Sequence, residues 1–418
     1  MATMIARLAS TREKLLRARQ AAAQVAQLSG EKKNDILRAM AGLIDENQTG
    51  IFEANQLDLS ATDLRSSSRD RLLLKPKRIS EMLQGIQAVV DLPDPAGEVL
   101  DEWTRPNGLV IRKVRVPLGV VGVIFESRPN VTVDAAVLAF KAGNAVVLRG
   151  GREASHTNEL LVDLLGQAPG LPAGSVELLD SSSRDSADEL MQARGLVDVL
   201  VPRGGADLIN RVVEKARVPV IETGAGNCHV YVDADADFDM ADGIVINAKT
   251  QRPSVCNAAE KLLVHREIAA EYVPRIVAKL LEAGVEVRGD EETMRLAGGL
   301  NVRAAEPDDW FTEYSALIMA VAVVSDVDDA IAHINRYSTA HSDAIVTRNE
   351  SRACEFLQRV DSAAVYWNAS TRFTDGGEFG FAAEMGISNQ KLHCRGPFGL
   401  KELTSIKYQV IGSGQIRG

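Results

Sequence analysis

At 418 residues the chain is longer than one ordinary hydrophobic core supports, so two or more domains are expected. An apolar fraction of 45% against 25% charged residues describes a folded globular protein and excludes a disordered one. A net charge of −10 argues against nucleic acid as a partner, although local arginines still decide whether a small anion binds.

Arg7, Arg12, Glu13, Lys14, Arg17 and Arg19 interrupt any apolar run near the N-terminus, so no secretory signal is expected there. No stretch approaches the ~18–20 apolar residues that cross a bilayer, and no membrane partner is expected. Residues 1–95 read as helices, punctuated at Ser29-Gly30-Glu31 and Pro76. Residues 97–118 mix Leu109, Val110, Ile111, Val114 and Val116 with charges at near-alternating positions, which predicts a twisted hairpin or arm. From Val120 short β-rich runs alternate with helical stretches. Strands are expected at 120–125, 145–148, 176–179, 197–201 and 218–221, and helices at 131–141, 158–166, 186–193 and 206–216. A second α/β unit follows, with strands at 261–264, 320–324, 344–347 and 364–368 and helices at 268–283 and 327–337. The last strand, 403–411, alternates Ile406, Tyr408 and Val410 against Ser405, Lys407 and Gln409 and should be half-exposed. Such alternation of strands and helices means parallel βαβ units, which bind ligands at the carboxyl ends of their strands.

Cys256 follows a polar turn of Thr250, Gln251, Arg252, Pro253 and Ser254 and precedes a strand-like run, a placement that holds a thiol rigidly beside a cleft. Arg252 and helix amides nearby would favour the thiolate, the nucleophilic form. A buried structural cysteine is the alternative from this segment alone. The four cysteines show no C-x-x-C and no regular spacing, which suggests reduced thiols and a cytoplasmic protein. No metal is expected at Cys228–His229 or His393–Cys394, because adjacent residues on a strand point to opposite faces. The G-x-G-x-x-G and G-x-x-x-x-G-K-[ST] fingerprints are absent. Two turns suit phosphate instead: Arg149-Gly150-Gly151-Arg152, and Arg203-Gly204-Gly205 at the start of a helix.

The order Glu126-Ser127-Arg128-Pro129-Asn130, Gly143-Asn144-Ala145, Glu222-Thr223-Gly224-Ala225-Gly226-Asn227 and then the Cys256 segment resembles the aldehyde dehydrogenase superfamily. KTQRPSVCNAAEKLLVH, AHINRYSTAHSDAIVT and EFGFAAEMGISNQKLHCRGPFGL are similar to its proline-biosynthetic branch, and the resemblance spans essentially the whole chain. It implies an α/β fold with a Rossmann-like cofactor domain (1–100 and 119–226), a catalytic domain (227–390) and a small β oligomerisation arm (101–118 and 401–418). It implies NADPH-dependent reduction of L-glutamyl 5-phosphate to L-glutamate 5-semialdehyde and phosphate through a thioester on Cys256. Asn130 matches an oxyanion-stabilising amide, with a helix N-cap as its other reading. Glu222 matches a glutamate that activates water in aldehyde-oxidising relatives, a role that would waste an acyl phosphate, so loop support is the alternative. Glu313 matches a nicotinamide-ribose contact. Arg149 falls where relatives carry a lysine beside the adenine ribose. Arg152 replaces the glutamate of NAD-preferring relatives and should attract a 2′-phosphate, unless Glu153 next to it takes that place. Arg128, Arg252 and His341 are candidate anchors for the substrate, and the arm implies a homodimer or homotetramer. Rival expectations are an acyl-CoA or aldehyde oxidoreductase of the same superfamily, a non-catalytic binding protein, or a cysteine hydrolase using His229 or His265.

Overall fold

The computed structural model describes residues 9–61, 66–381 and 383–417. The chain divides into two compact units. The first comprises the described residues of Met1–Thr223, Gly380–Gly386 and Phe398–Gly418, and the second comprises Gly224–Phe379 and Ile387–Pro397.

The first unit opens with helices Thr11–Val25, Gly30–Glu46, Gln48–Ala61, Ser66–Leu72 and Pro76–Asp91. The helical expectation for 1–8 and 62–65 falls outside the described residues. Ser10 and Glu13 form a capping box at the first of these helices, and the Ser29 hydroxyl accepts from the Lys32 amide at the second. Strands β1 (Val99–Thr104) and β2 (Val110–Pro117) form the expected antiparallel hairpin, and Thr404–Ile411 pairs with the other edge of β2. Beyond Thr404 every residue of that last strand is exposed. The alternation at 403–411 predicts one covered face, and the described residues of the chain cover neither.

Strands β3 (Val120–Phe125), β4 (Ala145–Arg149), β5 (Val176–Leu178) and β6 (Val199–Arg203) make a parallel sheet in the order β5-β4-β3-β6. Their residues are almost wholly apolar, as a sheet covered on both faces requires. The run expected as a strand at 218–221 joins this sheet only by a bridge between Leu200 and Val220. Pro219 lacks an N–H and cannot continue a ladder. The helix Pro129–Lys141 starts with proline at its first position and is followed at Gly143 by a positive φ of 90°, the left-handed turn that ends helices. Asn144 then buries its amide between the Gly119 N–H, at 2.8 Å, and the Leu403 carbonyl, at 2.9 Å.

The second unit is built on seven parallel strands. They are β7 (Cys228–Val232), β8 (Ala259–His265), β9 (Glu286–Gly289), β10 (Val302–Ala304), β11 (Ile318–Val324), β12 (Ser342–Val346) and β13 (Ala364–Trp367), ordered β10-β9-β11-β8-β7-β12-β13. Successive residues sort cleanly to the two faces. Val230, Leu262, Val321 and Ala344 pack with Val273 and Ile276. Their neighbours Tyr231, Leu263, Ala322 and Ile345 pack with Ile331 and Phe356. The strand β7, the short strands β9 and β10 and the helix Phe238–Thr250 are additions that the periodicity did not reveal. His229 and Asp233 break the apolar run at β7, and β9 and β10 are too short to show a period.

Candidate active site

At the carboxyl ends of β3, β4, β5 and β6 lies a cleft of about 790 Å³. The chain enters this sheet at β3, moves outward to β4 and β5, and returns on the other side with β6. A crevice therefore opens beside β3, as the topology of doubly wound sheets dictates. Six arginines line the cleft: Arg71, Arg128, Arg149, Arg152, Arg184 and Arg211. Arg149 donates to the carbonyls of Gly150 (3.1 Å) and Ser183 (2.8 Å), while its buried Nε has no partner. Burial holds its pKa below the usual guanidinium value. The lining thus carries excess positive charge, which is the donor set an anionic ligand needs.

One carboxylate already uses a turn read as a phosphate site, and a second holds the neighbouring turn at Ser127. The Gly205 amide, at the start of the helix Ala206–Lys215, donates to Glu126 at 3.0 Å. A phosphate at Gly204-Gly205 would have to share or displace that carboxylate, which corrects the picture of an open anion cradle there. Glu153 accepts from both the N–H and the hydroxyl of Ser127, each at 2.7 Å. Ser127 has a φ of 39°, so Glu153 holds a strained turn directly before Arg128 and Asn130.

Asn130 is the second residue of the helix Pro129–Lys141 and not its N-cap, because Pro129 starts the helix one residue earlier. Its side-chain N–H donates to Asp134 Oδ2, one turn on, at 3.0 Å. Burial pushes the Asp134 carboxyl up to about 6, against the pull of Asn130 and Arg203. Glu222 lies half-buried in the extended stretch after Ile221, where neighbouring Thr223 donates to the Pro202 carbonyl at 2.6 Å.

In the second unit the functional groups gather at the opposite ends of the strands. Cys256 sits half-buried on the turn between the helix Phe238–Thr250 and the amino end of β8. Its carbonyl accepts from the Cys228 thiol at 3.2 Å, and burial pushes that second thiol well above the usual range. A Cβ on Gly226 would lie 1.3 Å from the same carbonyl oxygen, so only glycine fits behind the turn. Asn257 fixes the other side. Its amide donates to the Thr374 carbonyl at 2.8 Å, and its own carbonyl accepts from the Thr371 hydroxyl at 2.7 Å.

Arg372 completes the turn. It donates to Asn257 Oδ1 and, at 2.7 Å, to Gln251. Burial lowers its pKa, and the negative ends of Asp375 and Cys256 pull it back. This is the partly buried cation beside the thiol that sequence reasoning assigned to Arg252, which is exposed and adds to the positive field from outside. His341, read as a candidate substrate anchor, is fully buried. Its Nδ1 lies 2.8 Å from Ser342 Oγ, and burial lowers it to about 4. A neutral imidazole is no cationic anchor, which corrects that expectation. The two histidines of the hydrolase alternative are also committed elsewhere. His229 is fully buried with Nδ1 on the Asn227 carbonyl at 3.0 Å, and His265 caps the helix Arg266–Glu282.

Beneath the turn lies a layer of buried charge. Lys249 and Glu260 pair at 2.6 Å with both side chains fully buried. Burial pushes Glu260 up to about 7 and Lys249 down, while each pulls the other toward its charged form. Lys261, also buried and lowered to about 7, donates to the Thr312 carbonyl at 2.8 Å. Glu313, the ribose candidate, is half-buried in the following stretch. The sequence signal for this layer was present: Glu260-Lys261 is a charged pair inside an otherwise apolar strand.

Residues 5–296 and 310–408 match the model of the aldehyde dehydrogenase family. A gamma-glutamyl phosphate reductase of Koribacter versatilis is 66% identical over 408 residues, covering 98% of this chain and 100% of that protein. A gamma-glutamyl phosphate reductase of Moorella thermoacetica is 56% identical, covering 96% of this chain and 97% of that protein. The solved gamma-glutamyl phosphate reductase of Thermotoga maritima superposes with a TM-score of 0.95 at 47% identity, over 98% of this chain and 100% of that one.

Proposed function

The chain belongs to the aldehyde dehydrogenase family as an oxidoreductase, and we propose that it reduces L-glutamyl 5-phosphate to L-glutamate 5-semialdehyde with NADPH, in proline biosynthesis. The observation that carries this reading is Cys256 on a turn fixed from behind by Gly226 and Cys228 and flanked by Arg372. Arg372 favours the thiolate electrostatically. The thiolate attacks the acyl carbon, the C–O bond to phosphate breaks, and a thioester to Cys256 remains. NADPH, when bound, supplies the hydride. The thiohemiacetal on Cys256 then collapses, returning the thiolate and releasing the aldehyde. Asn130 gives one N–H to Asp134 and keeps a second, the donor proposed for the oxyanion. Glu222 is assigned support of its loop, since activating water would destroy the thioester.

Arg149, Arg152, Gly204, Gly205 and the remaining arginines of the cleft are proposed to hold the cofactor's phosphates, and Glu313 its ribose. The buried, unpartnered Nε of Arg149 supports an anionic ligand there. Arg128 and Arg252 are proposed to hold substrate charges together with Arg372. The uncovered strand Thr404–Ile411, with Tyr408 56% and Val410 58% exposed, supports a homo-oligomer in which another copy covers this arm. Four thiols fit a reducing, cytoplasmic setting.

The reverse reaction tests the proposal. Glutamate semialdehyde, phosphate and NADP⁺ together should yield NADPH, and omitting phosphate should stop it. Cys256→Ser should reduce the rate to background while Cys354→Ser, at an exposed position, leaves it unchanged. Steady NADPH formation without phosphate would mark a hydrolysing dehydrogenase instead. Full activity in Cys256→Ser would remove the covalent mechanism.

A further inference from the structure

Glu260 has two oxygens, and each is bonded to a different functional segment. Oε2 takes the Lys249 ammonium at 2.6 Å. Lys249 stands one residue before the end of the helix Phe238–Thr250, and Glu260 is the second residue of β8, so this pair closes the base of the loop that carries Cys256. Oε1 accepts the Ser315 N–H at 3.1 Å. Ser315 has a φ of 50°, a left-handed conformation that a serine holds only when its surroundings impose it. Neighbours on β8 point to opposite faces, and Lys261 reaches the same stretch from the other side through Thr312. Tyr314, between them, lies 4.6 Å from the Lys261 ammonium at its ring centre and donates its hydroxyl to Asp309 at 2.8 Å. Residues 312–315 are thereby gripped from both faces of one strand, with Glu313 inside the grip.

A buried ion pair is poor value for stability alone, since an apolar pair of similar volume does as well or better. Its two-sided attachment here has a different use. We infer that Glu260 is a positioning residue that keeps the nucleophile turn and the Glu313 segment in register, one carboxylate oxygen for each. The inference rests on the proposed roles of Cys256 and Glu313. Misplacing a reacting group by about 1 Å costs on the order of 10²-fold in rate, so a shared anchor has catalytic weight without touching substrate.

The test separates register from stability. Glu260→Gln leaves Lys249 buried without its counter-charge and should lower Tm. The double variant Lys249→Met, Glu260→Met removes both charges and should recover most of that Tm. Its turnover should nevertheless stay about 10²-fold down, and its KM for NADPH should rise at least about fivefold. The rate at which iodoacetamide alkylates Cys256, read by peptide mass spectrometry, should also shift by at least about fivefold, and this readout needs no substrate. Wild-type alkylation or a wild-type KM in the refolded double variant would overturn the inference. A shifted alkylation rate in a protein whose wild type fails to turn over the acyl phosphate would keep the positioning role and overturn the proposed reaction instead.

Discussion

The two units use the same kind of parallel sheet in opposite senses. In the first, the polar groups stand at the carboxyl ends of β3, β4, β5 and β6, around a cleft where Arg152 and Arg184 are exposed, Arg149 donates to carbonyls and Arg211 pairs with Asp188 at 2.7 Å. In the second, Cys256, Asn227, Cys228, His341 and the Thr312–Ser315 stretch all lie at the amino ends of β8, β7, β12 and β11. There Lys249 and Glu260 are fully buried and paired. Open cations suit a ligand that arrives and leaves with its own charge, because water screens them between visits. Buried pairs suit a geometry that must not change, because breaking one leaves an uncompensated charge in a poor solvent. Parallel sheets teach the first arrangement as a rule, and the second unit departs from it.

Four experiments would sharpen or break that contrast. The largest effect is expected at Arg372. Arg372→Ala should lower turnover about 10²-fold by loosening the turn and weakening the positive field at Cys256, with little loss of Tm. Near-normal turnover would mean the turn is held by Asn257 alone. Next, Lys249→Met should destabilise by about 3–5 kcal/mol, since it strands a buried carboxylate, whereas Arg152→Ala, at an exposed position of the cleft, should cost less than about 1 kcal/mol. Thermal or urea unfolding measures both, and similar losses at the two sites would erase the distinction between open and buried charge.

A smaller effect is expected on cofactor preference. Arg152→Glu should shift the NADPH-to-NADH ratio of kcat/KM toward NADH by about tenfold, by placing a like charge against a 2′-phosphate. An unchanged ratio would move the phosphate toward Arg184 or Arg71. The smallest effect is a pH response of opposite sign around two helices, Val327–Tyr337 and Pro129–Lys141. Burial lowers His341 to about 4 and His333 to about 3. Each is neutral in the native state where the unfolded chain is protonated, so these two groups remove stability as pH falls from about 6.5 toward 4, while Glu260, raised to about 7, adds stability over the same fall. Asp134 is raised to about 6, so its contribution is fully present below about 4 and lost as pH rises through 6. Rate-corrected hydrogen exchange at pH 7 and pH 5 should show protection falling around Val327–Tyr337 relative to Pro129–Lys141. Equal change in both helices would contradict the burial assignments.

Much of this was legible in the residues. Apolar runs of four to six residues placed β3, β4 and β11 to within two residues, and a turn of Thr250 to Ser254 located Cys256. What failed was local in cause. Pro219 imitates a strand in composition while lacking the donor a strand needs. His341 looks like a ligand-binding histidine until its burial is known, and burial is a tertiary property. Arg372 sits over a hundred residues beyond Cys256, so only the fold brings them together. The carboxyl-end rule concerns where crevices open, whereas Cys256, on a fixed turn before the amino end of β8, needs no crevice of its own sheet.

Gly226 leads to a conclusion about how this protein can be redesigned or drift. Any side chain there would run into the Cys256 carbonyl, and a Cβ on Gly224 would meet the Asn389 amide at 2.0 Å. The rear of the nucleophile turn is therefore closed to mutation. Libraries that randomise it should return almost nothing but the parental residues, and variation in substrate choice should come through the front, at exposed Arg252.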